Sequence, residues 1–113
     1  MEIIEKKIGS VSVIALDGRL DAYVSTTVEQ TLNTLVDAGE ICLVVSLERL
    51  DYISSSGLRV FLASLKKVKK RDGDIKLASM KPHIREVFDV AGFSQLFSIY
   101  DLEDAAVKAF NKG

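Results

Sequence analysis

Apolar and polar positions at the start of the chain fall into two short runs, Glu2-Ile3-Ile4-Glu5-Lys6-Lys7-Ile8 and Val11-Ser12-Val13-Ile14-Ala15-Leu16, separated by Gly9-Ser10. Val- and Ile-rich runs of this length joined by a two-residue loop containing glycine predict a β-hairpin. The spacing then changes. From residue 26 onward Val28, Leu32, Leu35 and Val36 recur at three- and four-residue intervals, which predicts a helix. Thr26 with Glu29 has the spacing of a capping box, and Gly39 is a stop signal. Ile41-Cys42-Leu43-Val44-Val45 has no polar alternation, so both its faces must be covered, as in a central strand between layers of helix.

A second helix is predicted over 56–71, with Leu58, Phe61, Leu62, Leu65 and Val68 on one face and Lys66, Lys67, Lys69, Lys70 and Arg71 crowding its last turns, where cations suit the helix dipole. Asp72-Gly73-Asp74 ends it, and Ile75-Lys76-Leu77-Ala78 is a strand. Pro82 opens a third helix carrying Ile84, Val87, Phe88 and Ala91 on one face, with Gly92 as its stop. Leu96-Phe97-Ser98-Ile99 is the last strand, and Asp101 is the expected cap of a final helix bearing Leu102, Ala105, Ala106, Ala109 and Phe110. The order ββαβαβαβα predicts one α/β domain over 1–113, with a mostly parallel mixed sheet, an N-terminal hairpin and four helices. Partners of such sheets meet the loops at the carboxyl ends of the strands, which directs attention to the segment after Leu47.

Composition narrows the function classes. The chain has 113 residues, 48% hydrophobic and 27% charged, enough for one core and too short for two. A net charge of -1 removes the global positive field that would draw the domain onto nucleic acid or an anionic membrane. The longest apolar run is far below the roughly 20 residues a membrane-spanning helix needs. The N-terminus lacks the pattern of a secretory signal, so a cytoplasmic location is expected. Cys42 is the only cysteine; with no partner for a disulfide or a metal site, it is expected in the core.

Several chemistries find no residues. The seven glycines form neither a P-loop nor a dinucleotide fingerprint. A serine-hydrolase elbow needs Gly-x-Ser-x-Gly, and Ile53 stands where its first glycine would be. His83, the only histidine, would have to be the base of any Ser-His pair, and in the first turn of an amphipathic helix it is more simply a surface residue. The basic run 66–71 has neither an aromatic platform nor a second basic cluster beside it, and fits a solvated helix face. No catalytic role, cofactor or metal is expected.

What remains is Tyr52-Ile53-Ser54-Ser55-Ser56-Gly57-Leu58, which puts three hydroxyls where a loop becomes a helix. One serine there is accounted for by N-capping; three followed by glycine exceed that need. A phosphate on such a serine meets the positive end of the helix dipole and unpaired N–H groups, so the fold tolerates it. A surface docked against it does not, because the added charge must be desolvated or faces like charge.

Gly18-Arg19-Leu20-Asp21, the block Leu47 to Val60 around the serines, and Val87-Phe88-Asp89-Val90-Ala91-Gly92-Phe93 occur in an order that resembles the STAS domain of bacterial anti-sigma-factor antagonists over nearly the whole chain. The resemblance implies a non-enzymatic switch: the unphosphorylated protein binds an anti-sigma factor that is an ATP-dependent serine kinase, is phosphorylated by it, releases it, and is reset by a PP2C-type phosphatase. It places the phosphoacceptor at Ser55, two residues before the motif glycine Gly57, and makes Asp21, Ser54, Ser56, Gly57 and Arg59 the partner surface. Ser54 stands where the family has aspartate, and Arg59 where glycine is usual. The first departure keeps open a second reading, a STAS adaptor in a stress-sensing or lipid-transport complex that works without phosphorylation. The second puts a guanidinium one helical turn from Ser55, in reach of a phosphate. An enzyme or small-ligand carrier would have only Ser55, His83 and acids such as Asp21 to draw on.

Overall fold

In the computed structural model, which describes residues 1–111, five strands form one sheet in the order β1-β2-β3-β4-β5. They are β1 (Glu2–Ile8), β2 (Val11–Leu20), β3 (Cys42–Ile53), β4 (Asp74–Ala78) and β5 (Ser98–Tyr100). The hairpin β1–β2 is antiparallel with Ile8 opposite Val11, and every other pairing is parallel. Gly9 at φ +60 fits the first central position of a type II′ turn, whose twist matches that of the strands it joins.

The helices are α1 (Ala22–Asp37), α2 (Ser55–Lys69), α3 (Pro82–Val90) and α4 (Glu103–Phe110). Strand periodicity divides the core between two layers. Ile14, Leu16, Leu43, Val45, Ile75 and Leu77 point to the face covered by α1, α2 and α3. Val11, Val13, Val44 and Ala78 point to the face where α4 packs through Ala106 and Val107. Because β3 serves both layers, Leu43 to Leu47, Ser46 included, is buried at every position, while Ile41 and Cys42 at the start of the predicted run are half-buried. The larger layer centres on Phe88, fully buried, whose ring stacks on Phe61 at 6.3 Å and meets Phe97 edge-on at 6.2 Å.

Predicted and observed elements differ mainly at their ends. The first helix starts at Ala22 with Asp21 as N-cap, so Thr26 and Glu29 are exposed residues within a running helix and form no capping box. Two overlapping start signals compete here, and the aspartate closest to the end of β2 wins. β3 runs on to Ile53 because its second half pairs with β2 as far as Leu20 opposite Ile53, while pairing with β4 ends at Ser46 opposite Ala78. Glu48, Arg49, Asp51 and Tyr52 are exposed along this projecting ribbon, and their polarity hid the strand. The last strand is Ser98–Tyr100, preceded by a 3₁₀ turn at Phe93–Gln95. Asp101 does not cap α4; Leu102 is the N-cap residue and makes no side-chain cap bond. Cys42 is half-buried at the start of β3.

The basic run is spent locally. Lys67 pairs with Asp37 at 2.9 Å, Lys69 with Asp74 at 3.2 Å, and Arg71 donates to the Val36 carbonyl, so the end of α2 is tied to the end of α1 and to β4. Exposed pairs of this kind each stabilise by well under ~1 kcal/mol and orient more than they hold.

Removing the Phe88 ring should leave a cavity between α2, α3 and the 3₁₀ turn. Phe88→Ala is expected to lower unfolding free energy by about 3–5 kcal/mol, read from urea denaturation with an unchanged m value.

Candidate functional site

The site sits where the β2–β3 ribbon ends. Gly18, at φ +123, lies between two register shifts in β2, and these irregularities bring Leu20 level with Ile53. The Ser54 N–H then donates to the Leu20 carbonyl at 2.9 Å, joining the two strand ends. Ser54 is extended, at φ -88 and ψ 169, and its Oγ accepts the Gly57 N–H at 3.1 Å. Ser54 is therefore the N-cap of α2, and the capping demand of the serine run is met one residue before Ser55.

Ser55 is the first residue of the helix, is exposed, and its hydroxyl makes no hydrogen bond among the described residues. Ser56 is half-buried and its Oγ accepts from Arg59 Nη2 at 3.2 Å, which turns the guanidinium back over the first turn. No acidic residue lies in that turn. Gly57 is buried against β2 and β3: a Cβ there would lie 2.8 Å from Leu20 Cγ and 3.0 Å from Ile53 Cγ1, so Leu20 would have to shift to admit it. Its role is spatial, letting the start of α2 rest on the ribbon.

Asp21 caps the neighbouring helix. Its Oδ1 accepts the Val24 N–H at 2.9 Å, while the Ser25 hydroxyl donates to its carbonyl at 2.7 Å. Asp21 directly follows Leu20, so the Leu20–Ser54 bond sets the starts of α1 and α2 side by side. The sequence-predicted residues Asp21, Ser54, Ser55, Ser56, Gly57 and Arg59 thus share one end of the domain.

Two grooves flank them. One, of about 340 Å³, lies between α1 and α2 and is lined by Ser25, Glu29, Ser56 and Arg59. The other, of about 400 Å³, lies between α2 and α3, with Ser55, Leu58, His83, Val87 and Val90 on its walls. His83 is on the surface there, but its Nε2–H donates to the Asp51 carbonyl at 2.7 Å, and no hydrogen bond links it to Ser55. A Ser-His pair is not assembled. Among the described residues no cluster of His, Cys, Asp or Glu could hold a metal ion, and no helix is long and apolar enough to cross a membrane.

The sequence pattern did not single out a set of contacts around the ribbon tip. Arg19 stacks over the Tyr52 ring at 4.4 Å, and Lys81 forms an ion pair with Asp51. The hydrogen bond from Lys81 holds the Asp51 carboxyl below its ordinary value of 3.8, with the Lys81 charge adding to it. Tyr23, in the first turn of α1, is 91% exposed. Asp51-Tyr52, one residue before the serine run, was the available signal, masked because the segment looked like a loop.

With this geometry established, the sequence profile of the STAS domain matches residues 2–106. The chain belongs to the STAS domain family. BtrV of Bordetella bronchiseptica, a candidate anti-sigma factor antagonist, is 38% identical over 97% of this chain and 95% of its own. An anti-sigma factor antagonist from Mycobacterium paratuberculosis superposes with a TM-score of 0.91 at 22% identity, covering 98% of this chain and 94% of that one. SpoIIAA, an anti-sigma factor antagonist solved unphosphorylated and phosphorylated, gives TM-scores of 0.78 and 0.77 at 21% and 22% identity, covering 99% and 96% of this chain and 100% and 99% of its own. These structures share the fold of this STAS domain.

Two measurements test the site geometry. Gly57→Ala is expected to destabilise the STAS domain by about 1–3 kcal/mol, since Leu20 and Ile53 must give way, and to shift the Ser54 and Ser55 amide resonances. The Asp51–Lys81 pair should be acid-labile. A carboxyl whose pKa is lowered on folding contributes stability that is fully present above its unfolded value and is lost as pH falls through its folded one. Asp51→Asn should therefore lower the melting temperature slightly at neutral pH, where the pair contributes, and leave it near the wild-type value at ~pH 2, so that the drop between ~pH 5 and ~pH 2 is smaller.

Proposed function

We propose that this STAS domain is an anti-sigma factor antagonist working as a phosphorylation switch. Unphosphorylated, it binds an anti-sigma factor that is itself an ATP-dependent serine kinase, and the held sigma factor goes free. Phosphorylated on Ser55, it lets the kinase go, and a PP2C-type phosphatase resets it. It acts in the cytosol and is a binding protein, with no chemistry of its own.

The observation that carries this reading is the division of labour between Ser54 and Ser55. Ser54 satisfies the helix cap, so the exposed Ser55 hydroxyl is uncommitted and can be esterified without loss of a structural bond. A phosphate there, with ~-1.5 to -2 charges, meets the positive end of α2 and the open N–H groups of its first turn. Arg59 stands one turn along, already directed toward the first turn by its bond to Ser56. The domain itself thus accommodates the charge, while a partner packed on Asp21, Ser54, Ser56, Gly57 and Arg59 would have to bury it. The relative BtrV and the phosphorylated form of SpoIIAA support the assignment.

Ser54 favours one second reading, an adaptor that uses the same surface without being phosphorylated. A hydroxyl caps α2 as well as a carboxylate would, so loss of the family's aspartate costs the fold nothing while removing a charge beside the acceptor.

Incubation with purified anti-sigma kinases of the same organism and ATP, followed by peptide mass mapping, should find one phosphate, on Ser55. Ser55→Ala should keep partner affinity and block modification, whereas Ser55→Asp should weaken binding by at least about 2 kcal/mol, roughly thirtyfold. Phosphate elsewhere, or none with any kinase tried, would overturn the switch. Full affinity in Ser55→Asp would favour the adaptor.

A further inference from the structure

The switch surface occupies one end of the domain and leaves a different feature unexplained at the edge of the sheet. β1 is the outermost strand of the sheet. It closes on β2 through a two-residue turn, so Ile8 and Val11 form a hydrogen-bonded pair and the N–H and C=O groups of Ile8, Lys6 and Ile4 point inward to β2. Those of Ile3, Glu5 and Lys7 point outward and meet no strand. Two large apolar side chains on this strand stay in water: Ile4 is 48% exposed and Ile8 42%, both on the side where Lys6 reaches Glu103 of α4.

We propose that β1 pairs antiparallel with β1 of a second copy about a two-fold axis through Lys6, making a continuous ten-stranded sheet. A two-fold axis normal to the sheet brings residues together whose numbers have a constant even sum, and the hydrogen-bonded pairs must come from Ile3, Glu5 and Lys7. Three registers bring at least two of these outward residues face to face. With the axis on Ile4, Glu5 faces the partner's Ile3 and Ile8 stays uncovered. With the axis on Glu5, that carboxylate meets its own copy, and on the open side Ile4 meets Lys6 and Ile8 meets Glu2. With the axis on Lys6, Glu5 faces the partner's Lys7 twice and Ile4 faces the partner's Ile8 twice, the latter as non-hydrogen-bonded pairs with Cα atoms about 4.5 Å apart. Only the axis on Lys6 gives Glu5 a lysine and covers both isoleucines; it also sets Lys6 opposite its own copy, each already paired with Glu103.

Lysines on an edge ordinarily discourage such pairing. Here both are already neutralised within the chain, Lys6 by Glu103 at 2.7 Å and Lys7 by Glu40, whereas Glu5 has no cation of its own among the described residues. The partner's Lys7 supplies one. The contact is small, so the dimer is weak, with a dissociation constant on the order of 100 µM. Because the two β2 strands run oppositely, the two Ser55 surfaces lie at opposite ends, both free. The dimer is a bivalent switch that no single-site partner can occlude.

Sedimentation velocity from micromolar to millimolar chain should show a monomer–dimer equilibrium. Glu5→Lys or Lys7→Glu alone should weaken it by about tenfold or more, since each reversal sets like charges opposite twice. An equimolar mixture of the two variants should recover the wild-type constant, because both pairs between positions 5 and 7 are again opposite in sign. Circular dichroism checks that each variant folds. If Lys7→Glu does not fold once its Glu40 contact is lost, Lys6→Cys in a Cys42→Ser background replaces it: one thiol on the axis should give a disulfide-linked dimer on oxidation. A monomer at all concentrations, a dimer indifferent to both reversals, or a mixture that fails to recover would overturn the proposal.

Discussion

The site depends on one close contact, the seat of Gly57 on Leu20 and Ile53. At that point the ends of two parallel strands and the start of a helix meet so closely that any side chain at position 57 would displace Leu20 and Ile53. The Ser54 N–H to Leu20 carbonyl bond, at 2.9 Å, fixes the same junction through the backbone. Everything else at the functional end is placed relative to it. Asp21 follows Leu20, Ser55 follows Ser54, and Arg59 lies a turn further along a helix whose direction the contact sets. A larger residue at 57 would tilt α2 away from the ribbon and carry the serines with it. The glycine of this motif thus matters for its lack of bulk, since no positive φ is recorded for it.

A second consequence concerns rigidity. The extension of β3 past the end of β4 leaves the ribbon tip supported by β2 alone on the sheet, and an isolated two-stranded ribbon is marginally stable in water. Leu50 and Ile53 anchor it to the main core, and Lys81 and His83 clasp Asp51 from the start of α3. His83 therefore has a mechanical part: its ring joins the third helix to the strand that presents Ser55. Arg19 over Tyr52 covers the other side of the tip. The exposed Ser55 is held on a braced support, which suits the proposed role of a surface read by charge and shape.

How far the residues alone conveyed this structure differs from element to element. The helices and the central strand were legible because Leu58, Phe61, Leu65 and Val68 keep a helical period and Ile41 to Val45 keep none, and burial enforces both patterns. The projecting half of β3 was not, because Glu48, Arg49, Asp51 and Tyr52 face water and leave only Leu50 and Ile53 buried, a spacing that shows no strand alternation. The start of α1 was missed for another reason: Asp21 and Thr26 are both competent caps, and only the position of Leu20 in the sheet selects between them. At the site, the serine run and Gly57 stood out as residue types, whereas Lys81, His83 and Arg19 reach it through the fold. The edge strand is a mixed case, since its alternation is visible in sequence but its unpaired side is not.

The substitution of Ser54 for an acidic cap bears on how such a switch is balanced. An aspartate in that position would already place a full negative charge at the start of α2, and a phosphate on the next residue would have to share the same few N–H groups with it. With a hydroxyl there, and no acid elsewhere in the first turn, the positive end of the helix is uncompensated. Under the proposed switch, a phosphate on Ser55 would be favoured within the domain relative to an acid-capped sequence, with Arg59 as a counter-charge one turn away. The same change removes a fixed negative charge from the surface a partner meets before phosphorylation. In the proposed switch both effects act in one direction, and the contrast offered to a partner would come almost entirely from the phosphate.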